Sequence, residues 1–378
     1  MDWTTSPRES IGALLAEAHI ELDGPRPWDF RVNDEAVFVR VLAHGSLGLG
    51  ESYMDGAWDC VDLDDFFTRL LAAHVDEHVR SFDDLIAGLR ARILNLQHGA
   101  RAWTVAHQHY DLGNDLFAAM LGQRMVYSCG YWRHAADLDA AQEAKLDLIC
   151  RKMQLQAGMR VLDIGCGWGE ALKFAAQRYR ISGVGITLSE RQCEYARELC
   201  RGLPIEIRLQ DYHAMGHEPD GRRFERVWSI GMFEHVGVRN YAAYFDAVTR
   251  CLTPDGLSLL HCIGGERSTD HTDPWVARYI FPNSMLPSAK QIAAAVEGRF
   301  VIEDWHNFGA DYERTLLAWR ANIEAAWDRL PPHYDERFRR MWRYYLATSI
   351  ASFRTRRNQL WQVVLSPKGV PGGYVAAR

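Results

Sequence analysis

Residues 159–169, MRVLDIGCGWG, set an acid and three glycines at fixed spacing: Asp163, Gly165, Gly167 and Gly169. An apolar run, a glycine-rich turn and a helical run make the first crossover of an open α/β sheet, where ligands sit at the strands' carboxyl ends. Glycines permit the tight turn and leave room for a cofactor to lie against the backbone. A dinucleotide would require G-x-G-x-x-G/A and an acid ending the second strand to hold its ribose. Here Glu170 takes the third small position, and the run 181–186 leads into Thr187, Leu188 and Ser189, with no acid before Glu190. Glu170 would also face a pyrophosphate at the helix N-terminus, where like charges repel. A cofactor without a pyrophosphate fits better; a merely structural turn is the bland alternative.

The elements that would position this turn alternate along the chain. The pattern predicts a helix over 134–155, strands over 160–164, 181–186, 205–209, 224–230 and 257–263, and helices over 170–180, 189–201 and 241–252. Residues 274–298 read as an insertion carrying Trp275, Tyr279 and Phe281. Two last strands fall at 300–305 and 360–365, separated by a helical excursion over 311–357. Ahead of the alternation, a helix is predicted over 10–22, a short strand over 36–42, a glycine-rich stretch over 47–58, and amphipathic helices over 63–74 and 82–96. A linker over 95–106 then divides a small, mostly helical domain, 1–97, from a larger α/β domain, 98–378. Two units suit a chain of 378 residues, which exceeds what one core usually covers.

Composition narrows the function classes. No run of eighteen apolar residues suggests a membrane span, and the start MDWTTSPRES lacks a signal peptide's basic and apolar regions, so the cytoplasm is the expected compartment. The 8 cysteines are scattered without a C-x-x-C pair, which argues for free thiols and against a zinc site. A net charge of −6 speaks against nucleic acid as a partner. Its distribution is uneven: Arg337, Arg339, Arg340, Arg343, Arg354, Arg356 and Arg357 interleave with Trp342, Tyr344, Tyr345 and Phe353. Basic residues beside aromatics suit anionic lipid headgroups. Structural arginines on a solvated helix are the equal alternative.

The D-x-G-x-G-x-G spacing is that of S-adenosylmethionine (SAM) methyltransferases. With HYDLGNDLF, YSCGYW, VLDIGCGWG, FEHVG, WHNFGADY and QLWQVV in this order, the chain resembles the bacterial cyclopropane-fatty-acyl-phospholipid synthases. The resemblance is strong over about 101–365 and weaker ahead of it. It implies a Rossmann-like class I SAM-dependent methyltransferase domain behind the helical N-terminal domain. It also implies a homodimer held peripherally at the inner membrane surface, where the SAM methyl group is added to a cis double bond of a phospholipid acyl chain and a cyclopropane ring closes. An alkene is a poor nucleophile, so the methyl must be held in line with water excluded, and a base must then take a proton from the added methyl. The family uses bicarbonate as that base.

The positions matching its bicarbonate cage are Cys129, Glu234, His261, Ile263 (through its backbone) and Tyr312. Taken singly each has a bland reading: a buried thiol, a salt-bridged acid, a core histidine. The cofactor positions that carry over are Tyr127 and Ser128 at the methionine end, Gly165 and Gly167 with Asp163 and Gly169 in the turn, Thr187, Leu188 and Gln192 at the ribose, and Gln210 and Asp211 at the adenine. Two departures stand out. Glu170 follows the third glycine where the family commonly has another glycine; it reads as a first-turn carboxylate favoured by the helix dipole. Ser349 stands where some members carry a cysteine, so no catalytic thiol is available there. Relatives that stop at a methyl or methylene branch, a small-amine methyltransferase, and a lipid-binding protein on a dead methyltransferase fold remain the alternatives.

Overall fold

The computed structural model describes residues 6–75, 113–216 and 221–378. The helix expected over 82–96, the linker over 95–106 and the first residues of HYDLGNDLF lie outside them.

Seven strands form one sheet: β1 (Arg160–Ile164), β2 (Ser182–Thr187), β3 (Ile205–Leu209), β4 (Phe224–Ile230), β5 (Leu252–Gly265), β6 (Val301–Asn307) and β7 (Asn358–Ser366). Their order is β3-β2-β1-β4-β5-β7-β6. The first five are parallel, and β7 runs antiparallel between β5 and β6. The strand order therefore reverses between β1 and β4, which opens a crevice at their carboxyl ends. This is the expected Rossmann-like α/β fold. Apolar side chains on both faces of β1, β2 and β4 account for the near-continuous hydrophobic runs in sequence.

The helices are α1 (Pro7–Glu17), α2 (Ala36–Met54), α3 (Leu63–Ala72), α4 (Asn114–Leu121), α5 (Leu138–Lys152), α6 (Glu170–Tyr179), α7 (Glu190–Leu199), α8 (Tyr241–Cys251), α9 (Pro274–Tyr279), α10 (Ala289–Val296), α11 (Ala310–Glu324) and α12 (Glu336–Arg354). Caps fix several boundaries. Ser6 and Glu9 form a capping box at α1, and Asp137 accepts from the Ala140 amide at 2.9 Å, starting α5 four residues later than expected.

The short strand expected over 36–42 is instead the first part of α2. Val37, Val39 and Val41 favour a strand by propensity, yet Val37, Phe38, Val41 and Gly45 are buried at helical spacing while Val39 is exposed. Tertiary packing overrides propensity here. Gly45, at φ 55 and ψ −129, bends this helix. The excursion over 311–357 is two helices, α11 and α12, broken around Pro331 and Pro332.

Helices α2 and α3 pack on α12, and one apolar cluster joins Phe30, Trp58 and Phe66 to Phe117, Trp319 and Trp342. Phe30 stacks on Trp58 with ring centroids 4.5 Å apart. The aromatics of the basic run, Trp342, Tyr344, Tyr345 and Phe353, are all buried in this cluster. Its arginines face acids and carbonyls of the chain itself: Arg337 binds Asp55 at 2.9 Å, Arg340 the Trp58 carbonyl at 2.8 Å, Arg343 Glu324 at 2.6 and 2.7 Å, and Arg354 Glu313 at 2.7 Å. The structural alternative describes most of this run. Among the described residues no helix is long and apolar enough to cross a membrane.

Candidate active site

The turn after β1 builds one wall of a cavity of about 180 Å³. Gly165 sits at φ +82, and a Cβ there would lie 2.6 Å from Met232 Cβ, so only glycine lets this turn pass the loop after β4. The Gly165 and Cys166 amides both donate to the Ile186 carbonyl at 2.9 Å, tying the turn to β2. Asp163, Gly165, Gly167, Thr187, Leu188, Gln192, Gln210, Asp211, Tyr127 and Ser128 all line this cavity. Gly169 does not; it holds φ +90 ahead of α6, and its absent side chain lets α7 approach at Ala196. Thr187 donates to Gln192 Oε1 at 2.9 Å, and Ser189 caps α7, which fixes the end of β2 without any acid. Asp211 accepts from the His213 amide at 2.8 Å and lies 2.6 Å from its ring Nδ1. Glu170 lines the cavity too, but its charge is met by Arg124 at 2.8 Å and Lys173 at 3.3 Å.

A second cavity, about 710 Å³, opens beside the first. Its apolar walls come from α1 (Ile11, Leu14, Leu15), α2 (Val41, Leu49), α3 (Phe66, Phe67, Leu70) and α11 and α12 (Leu316, Tyr345, Phe353). Tyr127, Gly231 and His235 line both cavities. The Tyr127 and Tyr345 hydroxyls are 2.8 Å apart, and Trp319 and Phe281 lie 5.3 and 6.3 Å from the Tyr127 ring. Burial drives the His235 pKa down to about 4, so this ring is neutral.

Glu234, Ile263 and Tyr312 line the larger cavity. Glu234 stands in the first of two short 3-10 helices after β4, and its Oε1 accepts from the Ile263 amide at 2.7 Å. Burial pushes its carboxyl pKa up to about 7. His261 lies two residues before Ile263 on β5, opposite Gln362 of β7, whose Nε2 is 3.2 Å from His261 Nδ1. Cys129 is fully buried; its thiol donates to the Gly130 carbonyl at 3.1 Å and meets the Thr315 hydroxyl at 3.9 Å, one helical turn beyond Tyr312. Burial holds the Cys129 pKa far above the usual thiol range and that of His261 far below the usual imidazole range, so both stay neutral. Among the described residues, Glu234 Oε2 and His261 Nε2 are buried without a hydrogen-bond partner. A buried acceptor and a buried ring nitrogen of this kind are available to a small polar guest.

Sequence reasoning missed two residues of the smaller cavity's surroundings. Gln142 and Lys145 lie on the buried stripe of α5 and reach Ser128. The signal was available: Leu138, Ala141, Gln142, Lys145, Leu148, Ile149 and Lys152 follow helical spacing, so an amide and two lysines stand on an otherwise apolar face.

Comparison with known proteins places the chain among relatives of one family. The family profile described as "Mycolic acid cyclopropane synthetase" matches residues 97–363. The cyclopropane-fatty-acyl-phospholipid synthase of Escherichia coli (strain K12) is 50% identical over 366 residues, covering 97% of this chain and 94% of that protein. Among solved structures, the cyclopropane synthase MmaA2 from Mycobacterium tuberculosis superposes with a TM-score of 0.64 at 28% identity, over 70% of this chain and 97% of that one. The mycolic acid cyclopropane synthase CmaA1, complexed with SAH and CTAB, gives a TM-score of 0.62 at 29% identity with the same coverage.

Proposed function

The chain belongs to the mycolic acid cyclopropane synthetase family and is a SAM-dependent methyltransferase, and from that premise we propose that it forms cyclopropane rings on cis-unsaturated acyl chains of membrane phospholipids. In this reading the smaller cavity takes SAM, and the larger takes the acyl chain. The helices ahead of residue 98 serve as a substrate-contacting domain, and a homodimer works at the bilayer surface. The observation that carries the proposal is the pair of cavities joined at Tyr127, Gly231 and His235, one lined by the glycine turn and the other by apolar helices.

Bound SAM supplies an electrophilic sulfonium methyl. The residues of the chain do the rest. The shared wall brings the two ligands together at one place, and the apolar lining excludes water that would compete with a weak alkene nucleophile. The rings of Tyr127, Tyr312 and Phe353, which line the larger cavity, offer electron-rich faces to the positive charge that develops on the acyl chain. Neutral His235 adds no opposing charge.

A base must then accept a proton from the new methyl. Bicarbonate would donate to Glu234 Oε2 and meet His261 Nε2, two of the buried polar atoms left without a hydrogen bond, while the Cys129 thiol stays protonated. Ile263 fixes the Glu234 carboxylate by its amide, which leaves the other oxygen for the guest. Bicarbonate would supply the base itself; Glu234 and His261 would orient it.

The test is mass spectrometry of fatty acids from cis-unsaturated phospholipid vesicles incubated with the protein and SAM. The expected product is heavier by one CH₂ and resists hydrogenation. The same gain in a hydrogenatable chain would replace ring closure with methylene branching, and no gain would remove the acyl substrate.

A further inference from the structure

Lys145 is fully buried in the middle of α5 and lines the smaller cavity. Its Nζ donates to Ser128 Oγ at 2.9 Å. One turn earlier, Gln142 Nε2 donates to the Ser128 carbonyl at 2.9 Å and the Val126 carbonyl at 3.3 Å. Both oxygens of Ser128 are therefore held from one helix. A buried ammonium carries a heavy desolvation cost that one serine hydroxyl does not offset. Among the described residues no carboxylate forms an ion pair with Lys145; Glu170 is engaged by Arg124 and Lys173.

Donor chemistry narrows the role further. An ammonium has three hydrogens to give and no lone pair, and Ser128 takes one. Accepting from Lys145, the Ser128 hydroxyl must turn its own hydrogen elsewhere, and both residues line the same cavity. A lysine with donors to spare, beside a hydroxyl whose hydrogen is turned away from it, makes a site for an anion.

We infer that Lys145 and Ser128 together recognise the carboxylate of the amino-acid end of the SAM ligand, with Lys145 as a positioning residue that also orients the Ser128 hydroxyl. This rests on reading the smaller cavity as the SAM site. The Cys129 thiol and the His261 ring beside Lys145 are neutral; the charged groups electrostatically coupled to it are Asp163, whose carboxyl pKa burial raises to about 7, and Glu170, both of which favour its protonated form when ionised. Burial opposes them and draws the lysine pKa down to about 7. Once neutral, the amine can accept from Ser128, which turns the hydroxyl away from the ligand. Recognition should therefore weaken as pH rises through the neutral range.

The experiment is titration calorimetry with S-adenosylhomocysteine and with its analogue lacking the carboxylate. Lys145→Met should weaken the carboxylate-bearing ligand by about tenfold or more and the analogue by less than about twofold, since only the first loses a charge-assisted bond. The wild type's preference for the carboxylate should also shrink on going from slightly acid to alkaline buffer. Equal losses for both ligands, or a preference independent of pH, would overturn the inference and make Lys145 a packing residue. Should Lys145→Met fail to fold, Ser128→Ala takes its place: a loss confined to the carboxylate ligand supports the pair, and an equal loss refutes it. A wild type that binds neither ligand would overturn the assignment of the cavity itself, and the inference with it.

Discussion

The two cavities are built on different plans. The smaller is made largely from strand ends and the turns that follow them, and its polar groups are fixed by local geometry: Gly165 by its positive φ, Thr187 by Gln192, Asp211 by the His213 amide. Much of the larger is made from helices far apart in sequence, α1 to α3 against α11 and α12, whose apolar side chains line it together with Glu234, Glu266, Arg267 and Arg357. Hydrogen-bonding groups held by local geometry reject a wrong ligand strongly, whereas apolar helix faces select by shape and length, which does so weakly. On the proposed function, demanding recognition would belong to the turn-lined cavity and tolerance for different acyl chains to the helix-lined one.

The largest expected effect lies where the two cavities meet. Glu234→Gln should lower kcat by about a hundredfold or more while leaving S-adenosylhomocysteine affinity within about twofold, as measured by turnover and calorimetry. Full activity would remove Glu234 from the mechanism. Its carboxyl also makes a stability prediction. The folded pKa, about 7, is raised above that of an exposed glutamate, so the unfolded chain releases the proton first as pH rises. The contribution of Glu234 to stability is then highest at acid pH and lost as pH climbs toward 7. The melting temperature of Glu234→Gln relative to wild type should rise across that window; a constant difference would contradict the assigned burial.

Gly165→Ala tests the polar plan. It combines φ +82 with a contact of 2.6 Å to Met232 Cβ, and should cost about 1–3 kcal/mol in chemical unfolding and weaken S-adenosylhomocysteine binding. Leu14→Trp tests the apolar plan by filling the larger cavity. It should raise the KM for phospholipid vesicles about tenfold and leave S-adenosylhomocysteine affinity unchanged; the reverse outcome would mean the cavities are not separable. The smallest effect belongs to the arginine run. Arg343→Gln breaks a two-point pair with Glu324 that is more than one-third exposed on each side, and should cost less than about 1 kcal/mol. A large loss of vesicle sedimentation in that variant would restore the lipid-facing reading of the run.

Much of the polar cavity was legible because its chemistry is local. Asp163 to Gly169 announce a strand, a turn and a helix within a few residues, and the missing acid at Thr187 follows from the same reading. Of the larger cavity, Glu234, Ile263 and Tyr312 were named from sequence; its apolar walls were not legible, because no pattern within α1, α2 or α3 says which distant helix each will face. The residues 36–42 show the cost: their valines read as a strand until packing decided for a helix. Lys145 escaped for another reason. A lysine on an amphipathic helix is ordinarily read as solvent-facing, and only its place in the buried stripe marked it out.

The union of α3 with α12 has a consequence for how the protein is made. Asp64 pairs with Arg320, and the Thr68 hydroxyl accepts from Arg354 at 3.3 Å, so early and late parts of the chain must wait for each other. During synthesis, β1 to β5 and their turns emerge while the partners of α1 to α3 are still in the ribosome. A nascent chain would thus hold the turn-lined crevice before the helix-lined cavity could close, and its first helices would keep their apolar faces partly uncovered until the last hundred residues arrived.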